Sequence, residues 1–237
     1  MKRLVPKLSY DNFTALISRI RASGVRVIMP DEADRAVAVD LLMLAHIAAP
    51  GWSRTETANR VSVTLPRLPD PIPQLILMAG TAISPWTQLG EAGLKALARL
   101  TAQSTISISP EVVETRDVWT LLHENSHILQ EVSGGGLVHD LRYVFDREYA
   151  VLAAEAPAYA CNLMGEDDPE AAARRYADGL RAYGASDAQI NDAYELLGVH
   201  VRTMADGGCP PVRSLIDGVR FLRECGVENL PALPDSK

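Results

Sequence analysis

The sequence predicts an α+β fold: a small sheet in the N-terminal half and a mainly helical C-terminal half. Three observations lead there. The runs rich in β-branched and aliphatic residues (VRVIM, RVSVTLP, PQLILMAG and STISIS) all end before Pro110. From about Val112 onward, apolar residues recur at helical spacing almost without a break. Helix-start signals also recur there, as Asp168-Pro169-Glu170 and as the capping box from Ser186 to Gln189.

In chain order, YDNFTALISRIRASG places Phe13, Leu16, Ile17 and Ile20 on one helical face and stops at Gly24. VRVIM reads as a strand. Pro30-Asp31 then opens a helix to about Ile47, with acidic residues in its first turn complementing the helix dipole. RVSVTLP and PQLILMAG read as strands joined by the proline-rich loop PRLPDPIP, and a short helix is expected around Glu91 to Leu100. STISIS alternates Ile106 and Ile108 with hydroxyl residues, as a strand with one buried face does, and Pro110 ends it. Five helices follow: Val112–Val132, Val138–Leu163, Pro169–Tyr183, Asp187–Met204 and Val212–Cys225. Together these make one domain, residues 1–237, with a sheet-and-helix part (1–104), a middle part (105–165) and a helical C-terminal part (166–237).

Bulk properties exclude several classes of function. A chain of 237 residues, 47% apolar and 22% charged, has the composition of an ordinary soluble globular protein. Its net charge of -7 argues against a nucleic-acid partner. MKRLVPK is not followed by an apolar run, so no secretory signal is read. AVDLLMLAHIAAP carries Asp40 and His46 and is too short to span a bilayer. A cytoplasmic protein without a membrane partner is expected. Cys161, Cys209 and Cys225 form no metal-binding pair, and an odd count indicates no disulfide framework. The acidic run GEDDPE lacks the spacing of a calcium loop, and Asp168 in it is needed as a helix cap.

Chemistry concentrates in TLLHENSHILQEVSGGG, residues 120–136. On a helix, Val118, Leu121, Leu122, Asn125, Ile128, Leu129 and Val132 form a stripe towards a core. His123 and His127 lie one turn apart on another face with Trp119 and Gln130, so both imidazoles can converge on one ion. Glu124 is rotated by about 100° from His123. Its carboxylate therefore stands beside the ion, where it can take a proton from a water without displacing a ligand. This is the physical content of H-E-x-x-H, a metal pair with a general base. Two exposed histidines beside a solvated glutamate are the plain alternative. A catalytic zinc site needs a third protein ligand. The three glycines at 134–136 end the helix, and the next helix should return antiparallel past the histidines. It carries Glu148 and Glu155, seven residues apart on nearly one face, while His139 and Asp140 sit at its start.

At these residues the sequence resembles the gluzincin group of zincin metallopeptidases. HENSHILQ looks like their active-site helix. EAPAYA looks like their E-x-x-A segment, whose glutamate is the third ligand in many bacterial and phage members. The resemblance covers roughly Thr105 to Met164. It implies a zincin-like fold and a Zn²⁺ ion held by His123, His127 and Glu155. It also implies that Glu124 is the general base in hydrolysis of a peptide or protein substrate, and that STISIS is the edge strand along which substrate lies. Pro157 departs from a regular helix two residues after Glu155. Either the helix kinks there and Glu148 takes over, or one helix ends and another starts with proline in its first turn. Tyr159 and His200 are secondary candidates for stabilising an oxyanion, and core roles suit both better. A zincin-like domain kept as a non-catalytic structural or interaction module in a larger assembly is the alternative function, with Glu124 as the residue it leaves unexplained.

Overall fold

The computed structural model describes residues 8–48, 62–65, 67–75, 78, 90–133, 136–208, 220, 223 and 224. Ser9 opens helix α1 (Tyr10–Ala22) by accepting the Asn12 amide, and Phe13, Leu16, Ile17 and Ile20 bury its inner face. Such a cap is worth about 1 kcal/mol. Strand β1 (Arg26–Ile28), helix α2 (Asp34–Ala48), strand β2 (Val63–Leu65), helix α3 (Gly90–Thr101) and strand β3 (Thr105–Ser107) follow. The sheet order is β1-β3-β2. Val27 and Thr64 both face Ile106 in register, β1 running parallel to β3 and β2 antiparallel.

This order corrects the reading of STISIS. β3 is the central strand, not an edge, and both its faces are buried. Val27 and Ile106 point into the main core, with α1 and the later helices. Ile28, Leu65 and Leu100 form a second cluster with Ala38 on the opposite face, under α2 and α3. Helices on both faces bury Thr105 and Ser107 as well as the isoleucines, which alternation alone does not reveal. PQLILMAG is also corrected where it is described: residues 72–75 make a helical turn, with Leu75 exposed. Pro71 and Pro73 hold φ near the helical value and remove two ladder donors. α2 begins at Asp34, later than Pro30, and Asp34 anchors Arg26 at 2.6 Å and also Arg99.

The second half is helical with more breaks than periodicity shows. The expected helix Val112–Val132 is two, α4 (Pro110–Thr115) and α5 (Val118–Ser133). Arg116 between them takes a left-handed conformation (φ 54), and Asp117 caps α5 by accepting the amides of Trp119 and Thr120. Aspartate competes with helical hydrogen bonding in this way. The expected helix Val138–Leu163 is three segments: α6 (Leu137–Phe145), a π-helix (Tyr149–Glu155) and α7 (Ala156–Leu163). Asp146 interrupts it by accepting the Tyr149 amide at 3.0 Å. Helix α8 (Pro169–Gly179) tightens into a 3₁₀ turn (Leu180–Tyr183), and α9 (Asp187–Ala205) starts at the expected capping box. The helix expected over Val212–Cys225 and the tail after it lie outside the described residues, apart from Arg220, Arg223 and Glu224.

α5 packs on α7, and α7 on α8 and α9. Thr120 meets Asn162 and Gln130 meets Ala154, so α5 and the π-helix–α7 segment run antiparallel, as the glycine-terminated hairpin predicts. The stripe expected along α5 is only part of its buried surface. His123, Glu124 and Ser126 are buried as well, while Val132 at its end is 72% exposed. With β2 on one side and α7 on the other, the middle of α5 is mostly buried, with Asn125 and His127 half-buried. No described helix is long and apolar enough to cross a membrane.

Candidate metal centre

α5 places His123 and His127 one turn apart, with their Nε2 atoms 3.2 Å from each other. Glu155, the last residue of the π-helix, straddles them. Its Oε2 lies 3.6 Å from His123 Nε2 and its Oε1 3.6 Å from His127 Nε2. One ligand atom from each residue can be chosen so that all three fall within 4.8 Å of one another, and this buried group could hold a metal ion.

The π-helix is what delivers Glu155. Pro157 has no amide and would crowd the carbonyl one α-turn earlier. The wider i→i+5 turn relieves that crowding, and the Ala156 amide accordingly reaches back to the Val151 carbonyl. α7 then starts with Pro157 in its first turn, the second of the two outcomes read from the sequence. Glu148, at the far end of the π-helix, is exposed and takes no part. His139 is buried but turned away, bonded through Nδ1 to the Tyr149 hydroxyl at 2.5 Å. The side chain of Asp140 lies outside the described residues.

Hydrogen bonds fix the two imidazoles. Asn162 Oδ1 lies 2.9 Å from His123 Nδ1, and Gln130 Oε1 lies 3.1 Å from His127 Nδ1. Each amide is oriented by its other end, Asn162 donating to Thr120 Oγ1 and Gln130 to the Ala154 carbonyl, both at 3.1 Å. Both amide oxygens therefore accept, which puts the histidine protons on Nδ1 and leaves the two Nε2 atoms as acceptors in the neutral rings. Burial, and then the neighbouring His127, push the His123 pKa down to about 3, so this ring is neutral. Tyr143 of α6 donates to Glu155 Oε1, and burial with the Glu155 charge holds the phenol well above its ordinary value. Glu155 Oε2 is buried with no hydrogen-bond partner among the described residues. Three acceptors thus face one another. A shared proton would satisfy the two imidazoles but leave Oε2 stranded, whereas a cation satisfies all three.

Glu124 is buried next to this group and stays off it. Its Oε2 accepts from Thr64 Oγ1 of β2. Burial raises its pKa well above 4.5, the Thr64 hydrogen bond opposes this, and the charge of Glu155 adds to it. Tyr159 packs edge-on against His123 at 4.8 Å and stacks on Tyr176, a core position. His200 is buried on α9, and its Nδ1 finds no partner among the described residues. Sequence reasoning missed Thr64, Asn162 and Tyr143. Asn162 stands seven residues, about two turns, after Glu155 on the returning helix, a placement that the antiparallel hairpin carries, but Thr64 and Tyr143 leave no local signal. Comparison of the chain with protein families, with curated proteins and with solved structures finds no match in any of the three.

Proposed function

We propose that the protein is a zincin-like, zinc-dependent hydrolase of peptide bonds, with His123, His127 and Glu155 as ligands and Glu124 as general base. The observation that carries this reading is the buried set of three acceptors with the orphaned Glu155 Oε2. Ligand atoms on one tetrahedral zinc, at bonds of about 2.0–2.1 Å, stand about 3.3 Å apart. The two Nε2 atoms, 3.2 Å apart, fit that, and each Glu155 oxygen, 3.6 Å from one of them, lies slightly beyond it. Two imidazoles and a carboxylate suit zinc, and three protein ligands leave a position open for chemistry. Zinc bound there would supply a Lewis acid that acidifies water and polarises a carbonyl.

The remaining roles belong to the chain. Glu124, with its raised pKa, takes a proton from the attacking water and returns it to the leaving amine. Thr64 holds the Glu124 carboxylate towards β2 and away from the ligand positions. Tyr143 occupies the outer lone pairs of Glu155 Oε1 and keeps that carboxylate from swinging outward. The test is a pair of measurements. Purified without a histidine tag, the wild type should carry about one zinc per chain and cleave peptides from an unbiased library. Glu124→Gln should keep the zinc and lose about 10²–10⁴-fold in rate. Absence of zinc after supplementation would sink the reading.

One observation favours a second reading, a structural zinc module within a larger assembly. The ligand side chains are closed in, with Glu155 3% exposed. In that case Glu124→Gln would leave every activity unchanged and zinc removal would unfold the domain.

A further inference from the structure

Four side chains in series join the start of α5 to one imidazole of the site. Thr120 Oγ1 donates to Asp117 Oδ2 at 2.6 Å and accepts from Asn162 Nδ2 at 3.1 Å, and Asn162 Oδ1 faces His123 Nδ1 at 2.9 Å. Each direction follows from the one before. A carboxylate only accepts, so the single hydroxyl proton of Thr120 points at Asp117. The hydroxyl oxygen is left to accept, which turns the amide nitrogen of Asn162 towards it. The amide oxygen is then turned to His123, where it too can only accept. Asp117 is itself held still, because its other oxygen accepts the Trp119 and Thr120 amides. The left-handed Arg116 makes the turn that sets it there.

We propose that Asp117, acting through Thr120 and Asn162, fixes His123 as the Nδ1–H tautomer and so presents its Nε2 lone pair to the cation. Asp117, Thr120 and Asn162 are positioning residues, and none of them touches the reacting atoms. The inference rests on His123 being a metal ligand. Its partner His127 is held differently: Gln130, three residues along the same helix, orients that ring from the Ala154 carbonyl. The two imidazoles are therefore set by different parts of the fold, one from the helix cap and one from the π-helix.

Asp117→Asn tests the direction of the chain. Asparagine caps a helix as well as aspartate, but it places a donor where Oδ2 was. The Thr120 hydroxyl, released from the carboxylate, is then free to donate to Asn162; the amide of Asn162 inverts, and the proton of His123 moves to Nε2 against the pull of the Ala158 carbonyl. Ring nitrogen chemical shifts of the metal-free protein at neutral pH read this directly. Nδ1–H is expected in the wild type and Nε2–H in Asp117→Asn, with circular dichroism confirming that both are folded. Zinc affinity, from competition with a chelator, should fall about 10–100-fold in Asp117→Asn and in Asn162→Leu. Asn162→Asp loses the donor to Thr120 but still presents an acceptor to His123, and should keep the Nδ1–H tautomer. An unchanged tautomer in Asp117→Asn would overturn the proposal, as would Nε2–H in Asn162→Asp. A wild type that binds no zinc, yet shows Nδ1–H and loses it in Asp117→Asn, would uphold the chain and sink the metal reading instead.

Discussion

The two segments that build the site do so by opposite means. α5 is a regular helix whose periodicity puts His123 and His127 on one face, and the amides of Asn162 and Gln130 then hold the rings with their Nε2 atoms 3.2 Å apart. The segment facing it is irregular: Asp146 breaks the chain, a π-helix follows, and Glu155 is the last residue before Pro157 restarts an α-helix. The first arrangement is robust because one secondary structure repeats. The second depends on a π-helical turn, a rare form that recurs at functional sites. A ligand pair can therefore be written into local sequence, while a third ligand has to be delivered by packing.

Substitutions separate the two contributions. The largest effect is expected on α5: His123→Ala or His127→Ala should abolish stoichiometric zinc, a greater loss than the ~10–100-fold that follows removal of a supporting hydrogen bond. Glu155→Gln keeps the shape but not the charge and should weaken binding without abolishing it, as measured by zinc content after dialysis against a weak chelator. Pro157→Ala probes the turn itself. With the crowding gone, an α-helix can run through, which would rotate Glu155 by about 100° relative to the residues before it. A drop in zinc affinity with normal helical content is expected, and unchanged affinity would mean that α6 and α9, which pack on the π-helix, and not Pro157, hold the turn.

The junction between the two segments gives a smaller, purely structural effect. A β-carbon at Gly165 would lie 2.1 Å from Trp119 Cδ1. Gly165→Ala should cost about 1–3 kcal/mol through overpacking, read as a shift in the urea midpoint, with zinc stoichiometry retained.

The mildest contrast is in pH dependence of the metal-free chain. Burial, and then His127 and Arg142, hold His139 down to about 4, below its ordinary 6.5. The unfolded chain therefore takes up that proton first, and the stability His139 contributes is complete above 6.5 and lost as pH falls towards 4. On α5, burial raises Glu131 above 4.5 against the hydrogen bonds from Arg67 and Ser104. The folded state keeps that proton longer, so this contribution declines as pH rises past 4.5. His139→Gln and Glu131→Gln should flatten opposite slopes in chelator-treated protein followed by thermal unfolding. Slopes of the same sign in both variants would refute the assignment.

Much of the site was legible where one helix supplied it. H-E-x-x-H on a helix, a hairpin at 134–136 and a glutamate on the returning helix bring His123, His127 and Glu155 into the placement now seen. The breaks were not legible, because Asp117 and Asp146 satisfy backbone amides by side-chain hydrogen bonds that compete with a helix only in the right tertiary setting. STISIS looked half-buried because alternation reports side-chain chemistry, whereas both faces of β3 are covered by helices distant in sequence.

By itself, then, the sequence determined the helix periods, the capping boxes and the spacing of the histidine pair. These are set by interactions within a few residues of chain. The tertiary structure decided the central position of β3, the π-helix that aims Glu155, and the partners Thr64, Tyr143 and Asn162 around the site. Those depend on contacts between residues 12 to 79 positions apart, between Tyr143 and Glu155 at one end and the paired strands β1 and β3 at the other. Such contacts exist only once packing has overcome the entropy of bringing distant segments together.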